Sequence, residues 1–167
     1  MKKLFGYISA LLLAANTASA NPIFEEYIDW IVANSEFEYN GEPLPTIERT
    51  NKAMLLIMLY GEQRVAQAEY NNTYLPEVEA IYDDETNTIF LPHETELEDF
   101  ANHHIIVHEL VHYLQDINGI TDECVGRLEA PAYKLHTQWQ DEVDHPAERP
   151  NGLFVMMLEL ACDNPHF

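Results

Sequence analysis

His108, Glu109 and His112 stand together in the pentapeptide HELVH, and their types and spacing suit metal-assisted hydrolysis. Residues four apart share a helix face, so both imidazoles can reach a single ion. Glu109 lies about 60° round the helix from His112, where a carboxylate can take a proton from metal-bound water. A chain with eight His and twenty Glu among 167 residues contains such a pentapeptide by chance only about 0.05 times. The setting adds weight: Ile106, Leu110, Tyr113, Leu114 and Ile117 give the segment a core-facing stripe. The competing reading is a helix whose histidines are solvated or simply packed in the core.

A catalytic zinc uses three protein ligands and keeps one position open. Downstream of the pentapeptide, Asp122, Glu123, Glu129 and His136 are the candidates for the third. Glu129 is favoured, because the turn and segment after His112 are long enough to bring a second helix back antiparallel. Asp122 and Glu123 fall where the chain is still turning and read as cap and solvent residues.

With these pieces the sequence resembles the zincin metallopeptidases of the glutamate-ligand type, the gluzincins. There, H-E-x-x-H on one helix is completed by a Glu in E-x-x-x-D or E-x-x-A-D on a following helix, and a hairpin edge strand precedes the first. The matching stretches are HELVH at 108–112, EAPAY at 129–133 and TIFLP at 88–92. Small secreted bacterial families of unknown function, carrying HELVHYLQ, a Cys and E-x-x-A-Y, are similar too. The likeness covers about residues 76–142. It implies that His108, His112 and Glu129 bind one Zn2+ ion, that Glu109 activates water, and that the substrate is a peptide or protein. On the peptidase reading the hairpin edge is a candidate to hold an extended substrate by strand addition. The acid that orients a ligand imidazole in E-x-x-x-D is replaced by Tyr133. Asp116, one turn past His112, is a candidate for that task, and Tyr133 itself for a donor to the oxyanion or a buried structural residue. His136, seven residues beyond Glu129, is a candidate transition-state donor or alternative ligand. His103 and His104 read as surface or helix-end residues, although His104 is placed to line the cleft; His93, His145 and His166 carry no role.

The elements that must position this site follow from periodicity. Residues 23–33 form an amphipathic helix with Ile23, Tyr27, Trp30 and Ile31 inward, followed by a loop with Asn40-Gly41, Pro43 and Pro45. Thr46 is expected to cap a helix ending at Gly61, whose AMLLIMLY run at 53–60 should be core. Runs at 78–82 and 87–91 read as a hairpin. The metal helix is expected from Glu98 or Asp99 to about Ile117, stopped by Asn118-Gly119. Thr121 or Asp122 should cap the next helix, which runs towards Glu142 with a late start, kink or break at Pro131. The segment from Gly152 to Cys162 should be helical. The expected class is α+β and zincin-like: two site helices packed with a small sheet and additional helices.

Composition sets the surroundings. Lys2 and Lys3, the apolar run from Leu4 to Ala15 and the small residues Ala18, Ser19 and Ala20 read as a signal peptide over 1–20, ahead of a single domain over 21–167. Export follows, to the periplasm or outside the cell, with no membrane anchor after cleavage. Without Lys2 and Lys3 the formal charge is about −23, which suits solubility and excludes nucleic acid and anionic membrane surfaces as partners. In an oxidising compartment Cys124 and Cys162 should pair, closing a loop of about 38 residues and stabilising the fold by roughly 3–4 kcal/mol. The expected function is a secreted zinc metallopeptidase; the alternative is a metal-binding or interaction protein without turnover on the same scaffold.

Overall fold

Helices pack against a small mixed sheet, giving the expected α+β class. The computed structural model describes residues 22–163; the expected signal peptide at 1–20 and His166 lie outside them. The elements are α1 (Pro22–Ala33), β1 (Thr46–Thr50), α2 (Lys52–Tyr60), α3 (Glu62–Asn71), β2 (Ile81–Asp83), β3 (Thr88–Pro92), a 3-10 turn (Phe100–Asn102), α4 (His103–Ile117), α5 (Val125–Glu142) and α6 (Gly152–Asp163).

The hairpin is present, and its second strand is the centre of the sheet. The strand order is β1-β3-β2, with β2 antiparallel and β1 parallel to β3. Ile89 and Leu91 of β3 are fully buried, so the backbone beside them needs partners along both edges. The segment Thr46–Thr50 supplies the second edge, and there the structure corrects the expected helix start: Thr46 pairs with Thr88 and Thr50 with Pro92. β-branched Thr46, Ile47 and Thr50 suit that conformation. The helix begins only after Asn51, whose side chain accepts the Met54 N–H at 2.9 Å.

The run at 53–60 is not core. Only Leu55 of α2 is buried, whereas Met54, Met58 and Leu59 are 37–50 % exposed. An apolar run without a polar face carries no signal for which side turns inward, and this short helix lies at the rim. α3 has no counterpart in the sequence reading. The core is built by α1 (Phe24, Tyr27, Ile28, Ile31), β3 and the inner faces of α4 and α5, with Leu110, Tyr113, Leu114, Ala132 and Trp139 at its centre.

Asp99 caps the 3-10 turn by accepting the Ala101 N–H at 3.0 Å, and α4 continues from it to Ile117. The expected cap of α5 is corrected: neither Thr121 nor Asp122 is the cap, which is Cys124, although Asp122 accepts the Cys124 N–H at 2.8 Å just outside. α5 also runs unbroken through Pro131. A proline inside a helix costs about 3 kcal/mol, offset here by burial of Ala130, Ala132, Leu135 and Trp139 around it. Cys124 and Cys162 form the expected disulfide, with Cα atoms 5.7 Å apart. Beside it α6 crosses α5 so closely that a Cβ on Gly126 would lie 2.2 Å from the Leu158 carbonyl oxygen.

Candidate metal centre

α4 and α5 set HELVH opposite EAPAY, and three side chains converge between them. His108 Nε2 and His112 Nε2 are 3.2 Å apart, and the Glu129 carboxylate lies 3.3 Å from the first and 3.5 Å from the second. All three are partly buried and form a group able to hold a metal ion. Donors at about 2.0–2.1 Å from zinc in a tetrahedron stand roughly 3.3 Å apart; the two imidazole nitrogens meet that spacing, and the carboxylate reaches His108 through Oε2 and His112 through Oε1.

The tautomer of His112 follows from its neighbours. Gln115 Nε2 donates to the Leu128 carbonyl at 2.8 Å, which turns Gln115 Oε1 towards His112 Nδ1, also at 2.8 Å. That oxygen can only accept, so Nδ1 carries a proton, and Nε2 faces the centre as the nitrogen that gives up its proton when a cation binds. Burial opposes a charged His112, but the carboxylates of Glu129 and Glu109, with Gln115, outweigh it and hold its pKa up at about 9 without metal. Glu129 feels the reverse: burial raises its pKa, and the bonds to His108 and His112 more than cancel that, leaving it far below the usual carboxylate range. Its charge is thus available to a cation at any physiological pH.

Glu109 is 6 % exposed, and its Oε2 accepts the Tyr82 N–H of β2 at 2.7 Å. Burial is the main cause of its raised pKa. The same bond changes the expectation for the hairpin edge. Tyr82 is the outward-facing donor of a three-residue edge strand, and Glu109 already occupies it. Strand addition at that position is therefore blocked.

The family comparison adds membership without an activity. A family described as a domain of unknown function (DUF6647) matches residues 16–165. The chain belongs to that family. No curated protein and no solved structure matches it.

In this DUF6647 member, four sequence-predicted residues, His108, Glu109, His112 and Glu129, come together, and the others are distributed around them. Asp116 does not orient His112; it accepts the Tyr82 hydroxyl at 2.9 Å, and Gln115 holds the imidazole instead. Tyr133 packs its ring 4.6 Å from that of His108 and 5.5 Å from Phe154, with its hydroxyl pKa raised to about 12 by burial and by Glu129 and Glu109. His136 is 5 % exposed, its ring 5.8 Å from that of His108 and 5.2 Å from that of His104. Burial first, then the neighbouring imidazoles, joined at His136 by Arg149, lower the pKa of His136 to about 3 and of His104 to about 4, so both are neutral.

His103 and His104 stand at the helix end, as expected, but not on an open surface. His104 is buried, and His103 is half-buried at the start of α4, accepting from the Tyr27 hydroxyl at 2.6 Å and donating to the Leu97 carbonyl at 2.8 Å. His145 is 2 % exposed, donating from Nε2 to the Phe100 carbonyl and accepting the Ala147 N–H at Nδ1. Gln115 and Tyr82 were missed by sequence reasoning. Gln115 could have been found, because it lies three residues after His112 on the same helix face; Tyr82 could not, because its bond to Glu109 joins residues 27 apart.

Proposed function

We propose that this protein is an exported, zinc-dependent metallopeptidase of zincin-like architecture. The observation that carries the reading is the convergence of His108 Nε2 and His112 Nε2, 3.2 Å apart, on the two oxygens of Glu129 at 3.3 and 3.5 Å, beside the buried carboxylate of Glu109. The order of the parts agrees with it: a small sheet precedes one helix bearing H-E-x-x-H, and the glutamate comes from the next. The Cys124–Cys162 disulfide agrees with an oxidising destination.

His108, His112 and Glu129 would hold the ion, which when bound supplies a Lewis acid for the scissile carbonyl and acidifies water. Glu109 takes the proton of the attacking water and returns it to the departing amine. Its bond from the Tyr82 N–H keeps one carboxylate oxygen fixed and leaves the other for that transfer. Gln115 and the Leu128 carbonyl hold His112 in the ligating tautomer. Tyr133, against His108, is the side chain best placed to face substrate.

Purified full-length protein after mild dialysis should retain one zinc per chain and cleave members of a broad peptide library. Stoichiometric zinc with no cleavage of any peptide would overturn the peptidase reading and leave a metal-binding protein. Absence of tight metal would overturn both.

A further inference from the structure

A groove of about 650 Å³ opens between the later half of α5 and the first half of α6, a volume within the roughly 300–1,000 Å³ common for ligand pockets. Tyr133 and Thr137 line one side, Val155 and Met156 the other, and Pro150 and Gly152 close the end. Tyr133 belongs to two places at once: its ring packs against His108 and also lines this groove. The groove therefore begins one side chain away from the metal centre.

The charged groups around it are already engaged within the protein. Lys134 pairs with Glu159, Asp141 accepts from Arg149 at 3.0 Å, and Glu142 accepts from Trp30 at 2.8 Å and Gln138 at 3.0 Å. Glu142 is bonded only to neutral donors, so an anionic ligand side chain entering here would lose water and meet no free cation among the lining residues, whereas an apolar one gains burial. The α6 wall is held at its far end, where Gly126 allows close approach and the disulfide ties Cys124 to Cys162. Of the side chains on the groove half of α6, Val155 is buried while Leu153, Phe154, Met156 and Met157 are 45–60 % exposed.

We infer that this groove receives an apolar side chain of the peptide substrate next to the cleaved bond, and that α6, clamped by Cys124–Cys162, is the wall that selects it. The inference rests on the metallopeptidase reading. It makes large apolar residues the preferred substrate class and gives the disulfide a task beyond stability. Thr137 and Met156 set the size and polarity of the pocket, while Tyr133 joins it to the centre.

Peptidyl hydroxamates differing in one side chain, titrated calorimetrically into the zinc-loaded full chain, test this without turnover, because the hydroxamate anchors on the metal. Leu and Phe compounds should bind at least about 10-fold tighter than the Gly compound, with no gain for Asp. Thr137→Trp, which fills the groove, should remove the gain and leave the Gly compound within about twofold. Met156→Asp, at an exposed position that tolerates the change in folding, should reduce it as well. A Cys124→Ala/Cys162→Ala variant that remains folded should lose part of the gain; full retention would overturn the role of the clamped wall. If hydroxamates bind but side chains make no difference, the pocket fails and the metallopeptidase reading stands. If none binds, both fail. If the protein is a dimer that Met156→Asp converts to monomer, a second copy covers the α6 face and the inference is overturned.

Discussion

His104, His108 and His112 stand on successive turns of α4, yet the two ends of that row live in opposite electrostatic surroundings. At the His112 end, Glu129 and Glu109 supply negative charge, Gln115 fixes the ring, and burial fails to suppress a positive charge. At the His104 end the neighbours are His136 and His145, no carboxylate faces them among the described residues, and His104 and His136 are kept neutral. Residue type and helical spacing are the same along the row. The difference lies in what α5 sets opposite each turn: Glu129 at one end, His136 at the other. A metal centre thus needs a local source of charge, and repetition of imidazoles does not create one.

The largest effect expected from breaking this comparison is on turnover. Glu109→Gln should lower peptide hydrolysis by roughly 10²–10⁴-fold while zinc content stays at one per chain, measured by single-substrate kinetics beside metal analysis. Undiminished hydrolysis would remove Glu109 from the mechanism. Next, Glu129→Ala withdraws the charge that distinguishes the two ends, and zinc affinity should fall by more than the roughly 10–100-fold typical of an outer-shell change. Competition with a chromophoric chelator reads this directly; unchanged affinity would move the third ligand elsewhere.

Gln115→Leu keeps all three ligands and frees the His112 ring, so affinity should drop by roughly 10–100-fold, with partial recovery in Gln115→Asn. If Gln115→Leu binds zinc like wild type, the inferred tautomer control is wrong. The pH dependence sharpens the contrast further. His112, with its pKa at about 9, must shed its proton to bind metal, so zinc affinity should rise about tenfold per pH unit up to that value, with about one proton released at pH 7. Calorimetry in buffers of different ionisation enthalpy counts that proton.

The other end carries the opposite sign. His104 and His136 have folded-state pKa values of about 4 and 3, below the ordinary 6.5. Their neutral burial contributes fully above 6.5 and is lost as pH falls from 6.5 through those values, by about 1.4 kcal/mol per unit for each group. Denaturant melts of wild type and His136→Phe between pH 4 and 7 should show a shallower loss in the variant. At neutral pH His136→Phe should change stability by less than about 1.5 kcal/mol, the smallest effect in the series.

Local rules explain what could be read directly. Spacing of four, an apolar stripe and a Gly stop made α4 legible, and the length of the return made Glu129 the third candidate. The hairpin followed from two β-rich runs around a polar turn. β1 did not follow, because the segment from Thr46 has no period of its own long enough to decide, and the unpaired edge of β3 decided it. The continuity of α5 through Pro131 was equally hidden: its compensation comes from packing on α4 and α6. Asp116 and Gln115 both lie one helical turn past His112, and only the positions of Tyr82 and the Leu128 carbonyl show which turns to the imidazole.

The amino-acid sequence by itself determined which side chains are capable of holding a metal ion, which glutamate sits beside them, and that two cysteines were available to pair. These are properties of residue identity and of helical repeat. Tertiary structure alone decided that Glu129 meets both imidazoles, that Glu109 is pinned to a strand, and that His104 and His136 are neutral core groups. Each of those depends on what a distant segment brings within hydrogen-bond reach, and on how much water it removes.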